Sequence, residues 1–393
     1  MIGVGAAIAI ALVWCGLVLA AVVVCAAIER RSRLAGPIAR GAWSPPRSKW
    51  GPDPRYPPAA SLLLRSLAEM ARQVRSRTVV PDQSAMLRSV GRCIAWLALA
   101  SALSLVPFAG PWEGGAIPIP LVVVDLPSGL LALVFLVLLM GLAQVAIGLA
   151  DRSLWSRLGS VRMASRNLGT LALLILVLAP LSIESQSLRI HDVVSAQQTT
   201  FAPFSWLPFA PGSAFEVLRS WRWPAWNCFM QPVSALLFLP VLAGLSHRPL
   251  AWDPEAGSLR PSGFGLDGDP VGLAWGLLEA RLARVLAAAL FVALFLGSGA
   301  LPFVSGFEIV DRLEPFIGRT LPALIVAGLE TTVFFGKWIL LLVLGAAIRR
   351  ATARMREDRW TRIVVTRLLP IAWANVLLVS AIRLLDGALP GGA

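Results

Sequence analysis

Histidine and lysine are almost missing from this 393-residue chain: His191 and His247 are its only histidines, and Lys49 and Lys337 its only lysines. Two isolated imidazoles are too few for haem or zinc ligation. Cysteine is scarce too, and Cys15, Cys25, Cys93 and Cys228 are scattered without a C-x-x-C pair or a neighbouring histidine. That spacing supports neither a disulfide framework nor a metal cluster. The cysteines read instead as small apolar residues of membrane helices, and any redox cofactor belongs to partner subunits. A glycine-rich phosphate loop is lacking, because the Gly265–Pro270 run has no strand and helix around it. There is no internal repeat of the kind that builds inverted-repeat transporters. Charged residues amount to only 15% of the chain.

What is present is apolar. Hydrophobic residues make up 57% of the sequence and the mean hydropathy is +0.73, values that exclude an ordinary soluble domain and indicate an all-α, polytopic membrane protein. The net charge of +13 comes largely from arginines clustered between apolar runs. The positive-inside rule accounts for that pattern, so no nucleic acid is implied. Arginine, alanine and leucine are in excess, as in a GC-rich bacterial coding bias, and the expected location is the bacterial inner membrane.

Read as a single membrane domain over 1–393, the chain offers about eight transmembrane spans, near 2–28, 91–109, 126–150, 168–183, 231–246, 273–303, 321–348 and 363–386. The first is longer than a signal-peptide core and ends in Glu29, Arg30, Arg31 and Arg33 without an A-x-A site, so it reads as a retained span. Placing the arginine-rich loops inside puts both termini on the outer side. Residues 59–77 carry Leu63, Leu67, Met70 and Val74 on one face with Glu69 and arginines mostly elsewhere, which predicts an amphipathic helix at the cytoplasmic interface. The polar stretch 247–271 predicts a cytoplasmic loop, in which Asp253 and Glu255 read as solvated acids. The 184–230 loop, on the other side, is rich in Trp and Pro; its Arg189, Arg219 and Arg222 are exceptions to the charge rule.

Ionisable residues inside apolar runs are costly and usually functional. Glu279 lies near an end of the sixth span, open to pairing with Arg281 or Arg284 or to a proton-handling role. Glu330 and Lys337 share a helical face seven residues apart, about 10 Å along the axis, so a direct pair is excluded and only a bridged relay could join them. Arg349, Arg354 and Arg356, with Asp358, read either as topology determinants or as a docking surface for carboxylates of a peripheral partner.

The stretch from Lys337 to Asn375 resembles the closing pattern of the subunit 1 family of respiratory complex I and its relatives in group 4 membrane-bound hydrogenases. The matching positions are Lys337, Arg349, Arg354, Arg356, Asp358, Leu369, Pro370 and Asn375. Glu29-Arg30, KWGP at 49–52, LLRSLAEMARQ at 63–73, DLPSGLL at 125–131, LGSVR at 158–162 and LFLGSG at 294–299 follow in the family's order. The resemblance implies a membrane subunit of a proton-translocating NADH:quinone oxidoreductase. It implies no cofactor on this chain, quinone as substrate, iron–sulfur clusters and flavin in partner subunits, and peripheral and membrane subunits as partners. It also implies roles: Glu29, Arg30, Glu69, Asp253 and Glu255 at the quinone chamber, Glu279, Glu330 and Lys337 on the proton path, and Arg349, Arg354, Arg356 and Asp358 in docking. The sequence departs from the family pattern near Gly169, Thr170 and Leu171, and at Gly244, where the family has acids. Those losses leave open a degenerate structural anchor of a complex-I-like or hydrogenase-like assembly, without its own quinone or proton site.

Overall fold

The computed structural model describes residues 4–34, 85–110, 119–151, 153–203, 222–246, 252–253, 258–259, 270–303, 306–351 and 357–388. The first helices are α1 (Val4–Leu34), α2 (Ala85–Ser104), α3 (Gly129–Leu149) and α4 (Leu154–Ser185). Two short helices follow, α5 (Ile190–Ser195) and α6 (Asn227–Met230), and then α7 (Pro232–Ser246). The last five are α8 (Pro270–Phe295), α9 (Gly306–Ile317), α10 (Thr320–Ala351), α11 (Glu357–Ile363) and α12 (Leu369–Ala388), with a π turn at Val364–Leu368 between the last two. Four two-residue strands make two antiparallel ladders: β1 (Thr200–Phe201) with β2 (Trp223–Pro224), and β3 (Trp252–Asp253) with β4 (Ser258–Leu259). The protein is thus an all-α polytopic membrane protein.

Six stretches are long and apolar enough to cross a bilayer: Ala7–Ala27, Met86–Ser104, Gly129–Leu149, Ser156–Ser185, Thr320–Ile348 and Arg359–Leu385. They fall on the first, second, third, fourth, seventh and eighth expected spans. The fifth expected span is α7, apolar but only 15 residues long. The sixth is α8, whose first half carries Glu279, Arg281 and Arg284. The expected interfacial helix at 59–77 lies outside the described residues, as does most of the 247–271 loop.

α8 is the hub. It packs against α1, α2, α7 and α10, and its side chains from Val285 to Phe295 are all buried. Ala287, Ala288, Ala289 and Ala293 keep this face narrow, which lets neighbouring backbones approach where no hydrophobic effect drives helices together. Trp14 of α1 lies between Phe108 and Trp338 of α10, stacked on each at 5.5 and 5.6 Å. The Trp338 indole donates to the carbonyl of Val285 at 2.9 Å, locking α10 onto α8.

Three departures from the expected spans have physical causes. α4 begins at Leu154, so most of the expected loop at 151–167 is helix; its 32 residues reach about 48 Å, more than the roughly 30 Å hydrocarbon core, so its arginine-bearing turns extend past it. α8 stops at Phe295, short of the expected 303. Gly297 and Ser298 adopt positive φ (66° and 51°) and break the helix there. Helix α9 follows where a link between spans was expected; its polar Glu308, Asp311, Arg312 and Glu314 hide it from a search for long apolar runs.

Ion pairs mark the two ends of the bundle. At the arginine-rich end Arg88 reaches the buried Asp151 at 3.2 Å, and the guanidinium of Arg166 lies 5.2 Å from the ring centre of Trp360. At the opposite end Arg189 forks onto Asp125, with Nε at 2.9 and 3.0 Å from the two carboxylate oxygens, and Arg383 pairs with Glu184. The Arg189 exception to the charge rule is therefore a neutralised one.

Candidate functional site

Two polar layers cross the bundle at different depths. The first lies where α8 breaks. Its open backbone turns three carbonyls inward, and the Lys337 ammonium donates to all of them: Leu296 at 2.8 Å, Ser298 at 3.0 Å and Ala300 at 2.9 Å. The ring of Trp226 covers the same nitrogen at 4.2 Å from its centroid. Three carbonyls use the three N–H donors of a protonated amine, so the charge is fully solvated by protein. The bend itself is held by amides. Gln197 accepts from the backbone N–H of Gly297 (3.0 Å) and of Asn227 (3.1 Å) and donates to Ala293, while the Asn227 side chain donates to Leu294 at 2.8 Å. These contacts satisfy groups that the helix break frees, which is the condition for irregular backbone at membrane depth.

Glu330, two turns away on α10 and 7% exposed, occupies a cradle of glycines. Its Oε2 accepts from the Gly110 N–H at 2.7 Å. A Cβ on Gly110 would lie 2.9 Å from Oε2, and one on Gly306 2.9 Å from Oε1; at Gly299 it would lie 2.5 Å from the Glu330 carbonyl. Only glycine lets these three segments close on the acid.

The second layer is nearer the arginine-rich end. Glu279 of α8 is 5% exposed, and its Oε1 accepts from Gln144 Nε2 of α3 at 2.6 Å. Gln144 also lines a cleft of about 110 Å³ between α3, α4 and α7, walled mostly by apolar groups such as Val137, Met140 and Leu171 with Asn167 and Thr170 among them. The Asn167 amide nitrogen is buried there without a hydrogen-bond partner. Across the cleft, Gly244 meets Thr170 so closely that a Cβ on it would lie 2.5 Å from Thr170 Oγ1. The two positions at which acids are missing therefore touch each other.

The remaining expected residues fall as follows. Glu29 and Arg30 belong to the last turns of α1, Asp253 to β3, Arg349 to α10 and Asp358 to α11, but their side chains lie outside the described residues. Glu69, Glu255, Arg354 and Arg356 lie wholly outside them. Asn375 is buried and donates to Ser234 of α7 at 2.8 Å, which ties α12 to the bundle. Gln144, Gln197, Asn227 and Gly110 were not legible as site residues. A lone amide inside an apolar run was the available signal for Gln144. Among the described residues no three of His, Cys, Asp and Glu converge on a point that could hold a metal.

A family model described as NADH dehydrogenase matches residues 9–380. A membrane-assembly relative, an NADH-quinone oxidoreductase subunit of Anaplasma phagocytophilum (strain HZ), is 25% identical over 280 residues, covering 71% of this chain and 70% of that protein. With its apolar helices, its buried acids and no metal-ligand cluster among the described residues, the fold defines a membrane subunit of a redox assembly. The chain belongs to the NADH dehydrogenase family, that of complex I subunit 1, a membrane subunit of NADH:quinone oxidoreductase.

Proposed function

We propose that this chain couples quinone reduction to proton translocation within a complex-I-like assembly in a bacterial inner membrane, through the Glu279 layer. The carrying observation is the buried Glu279–Gln144 contact beside a cleft with an unpartnered amide. A carboxyl group in a low-dielectric site changes charge readily when a neighbouring charge changes, as it does when quinone is reduced at the arginine-rich end. Gln144 can donate to the ionised acid with Nε2, or accept from the protonated acid with its oxygen after an amide flip. The layer is thus able to serve both states. Glu330 is the second titratable group on this path, held against Gly110, while Lys337 supplies the fixed positive charge between the two acids.

In this reading eight helices cross the bilayer with both termini outside. Quinone enters near the ends of α1 and the 247–271 segment, where Glu29, Arg30, Glu69, Asp253 and Glu255 stand. Arg349, Arg354, Arg356 and Asp358 meet the peripheral iron–sulfur subunits, and flavin and clusters reside in those partners. Glu279→Gln in the assembled complex tests the reading. The expected result is a normal amount of complex with NADH:quinone reductase turnover reduced at least about tenfold, which is about 1.4 kcal/mol in the coupled barrier. An unchanged turnover would favour the alternative, a structural anchor. The observation on that side is the neutral Thr170–Gly244 contact, which leaves no acid where the family has two.

A further inference from the structure

The broken end of α8 has the chemistry of a binding site that already contains its ligand. Three backbone carbonyls converge at 2.8–3.0 Å on one nitrogen. The face of Trp226 closes a fourth side at 4.2 Å. Convergent carbonyls replace the hydration shell of a monovalent cation, and an aromatic face adds the attraction recurrent in ammonium recognition. The cage is assembled by groups other than Lys337: Gln197 and Asn227 hold the bend, and Ser298 donates its hydroxyl to the Pro107 carbonyl at 2.9 Å. The site is therefore built by the loop, and the lysine is tethered into it from α10.

We propose that residues 296–300 and Trp226 form a primary-ammonium site occupied by the protein's own Lys337, which acts as a positioning residue clamping the break of α8 to α10. Its donors are all engaged, so it holds a charge in place and does not relay protons. This goes beyond the coupling role of Glu279 and stands whether or not that role holds. Removing the tether while leaving the cage creates a vacancy for a free amine. The same vacancy excludes a quaternary ammonium, which has no N–H to donate to the carbonyls.

The test is thermal unfolding of the purified assembly carrying Lys337→Ala, in methylammonium chloride and in tetramethylammonium chloride of equal ionic strength. Methylammonium is expected to raise the Tm of Lys337→Ala by about 3 °C or more relative to tetramethylammonium. The same comparison leaves wild type and Lys337→Met unchanged, because their own side chains fill the site. Equal Tm in the two salts for Lys337→Ala, or an equal methylammonium effect on all three proteins, overturns the proposal. Should Lys337→Ala be missing from membranes, methylammonium in the growth medium makes the same distinction: its reappearance there supports the site, and continued absence while Lys337→Met accumulates overturns it.

Discussion

The two polar layers are built on opposite plans. At the break of α8 the Lys337 ammonium has a carbonyl for each of its protons, and three glycines close on Glu330. In the Glu279 layer a cleft remains open, an amide nitrogen of Asn167 is unpartnered, and the closest contact is between neutral Thr170 and Gly244. A site whose polar groups are all satisfied by rigid backbone is expensive to rearrange and suits a fixed charge. One with spare donors and free space accommodates a change of protonation. The chain thus separates holding charge from moving it.

The comparison breaks most visibly at Gly299. Gly299→Ala places a Cβ 2.5 Å from the Glu330 carbonyl, and backbone cannot yield as a side chain can, so a loss of about 3 kcal/mol is expected, seen as reduced assembly and a lower Tm. Next comes Glu330→Ala, which orphans the Gly110 N–H and is expected to cost roughly 1–3 kcal/mol in the same assay, with Glu330→Gln recovering most of it. In the looser layer Gly244→Ala is expected to destabilise by about 1–2 kcal/mol and to become nearly neutral when combined with Thr170→Ala. That double-mutant cycle measures how tightly the two neutral positions are joined; additive effects would dissociate them.

The smallest expected effect lies outside both layers. Burial lowers the pKa of His191 below its usual value, with Arg189 acting in the same direction and Asp125 and Asp192 opposing. Its Nδ1 is buried without a hydrogen-bond partner. The unfolded chain then binds a proton at higher pH than the folded one, so this contribution to stability is present above about pH 6.5 and is lost as the pH falls through the folded value. Tm measured from pH 7.5 down to 5 should decline in wild type and decline less in His191→Gln.

Much of this architecture was legible in the sequence because lipid imposes simple rules. Apolar runs located six helices that could cross a membrane, and Glu279, Glu330 and Lys337 stood out as charges within such runs. What was not legible depends on distant contacts. Gln144 and Glu279 are 135 residues apart, and their pairing leaves no local pattern. The unwinding after Phe295 was hidden because LFLGSGALPF is apolar enough to continue a span, although Gly297, Gly299 and Pro302 punctuate it. The π turn at Val364–Leu368 sits where Val364 lies against Gly169 of α4, a tertiary contact without a sequence signature. Arg189 defied the charge rule until Asp125 appeared beside it.

The most direct measurement is the number of protons moved per quinone reduced by the assembled complex in sealed vesicles, comparing wild type with Glu279→Gln. The account predicts that residual turnover in the variant moves few or no protons while the assembly remains intact. A wild-type ratio at wild-type turnover would contradict it and leave the Glu279 layer a structural feature of an anchor.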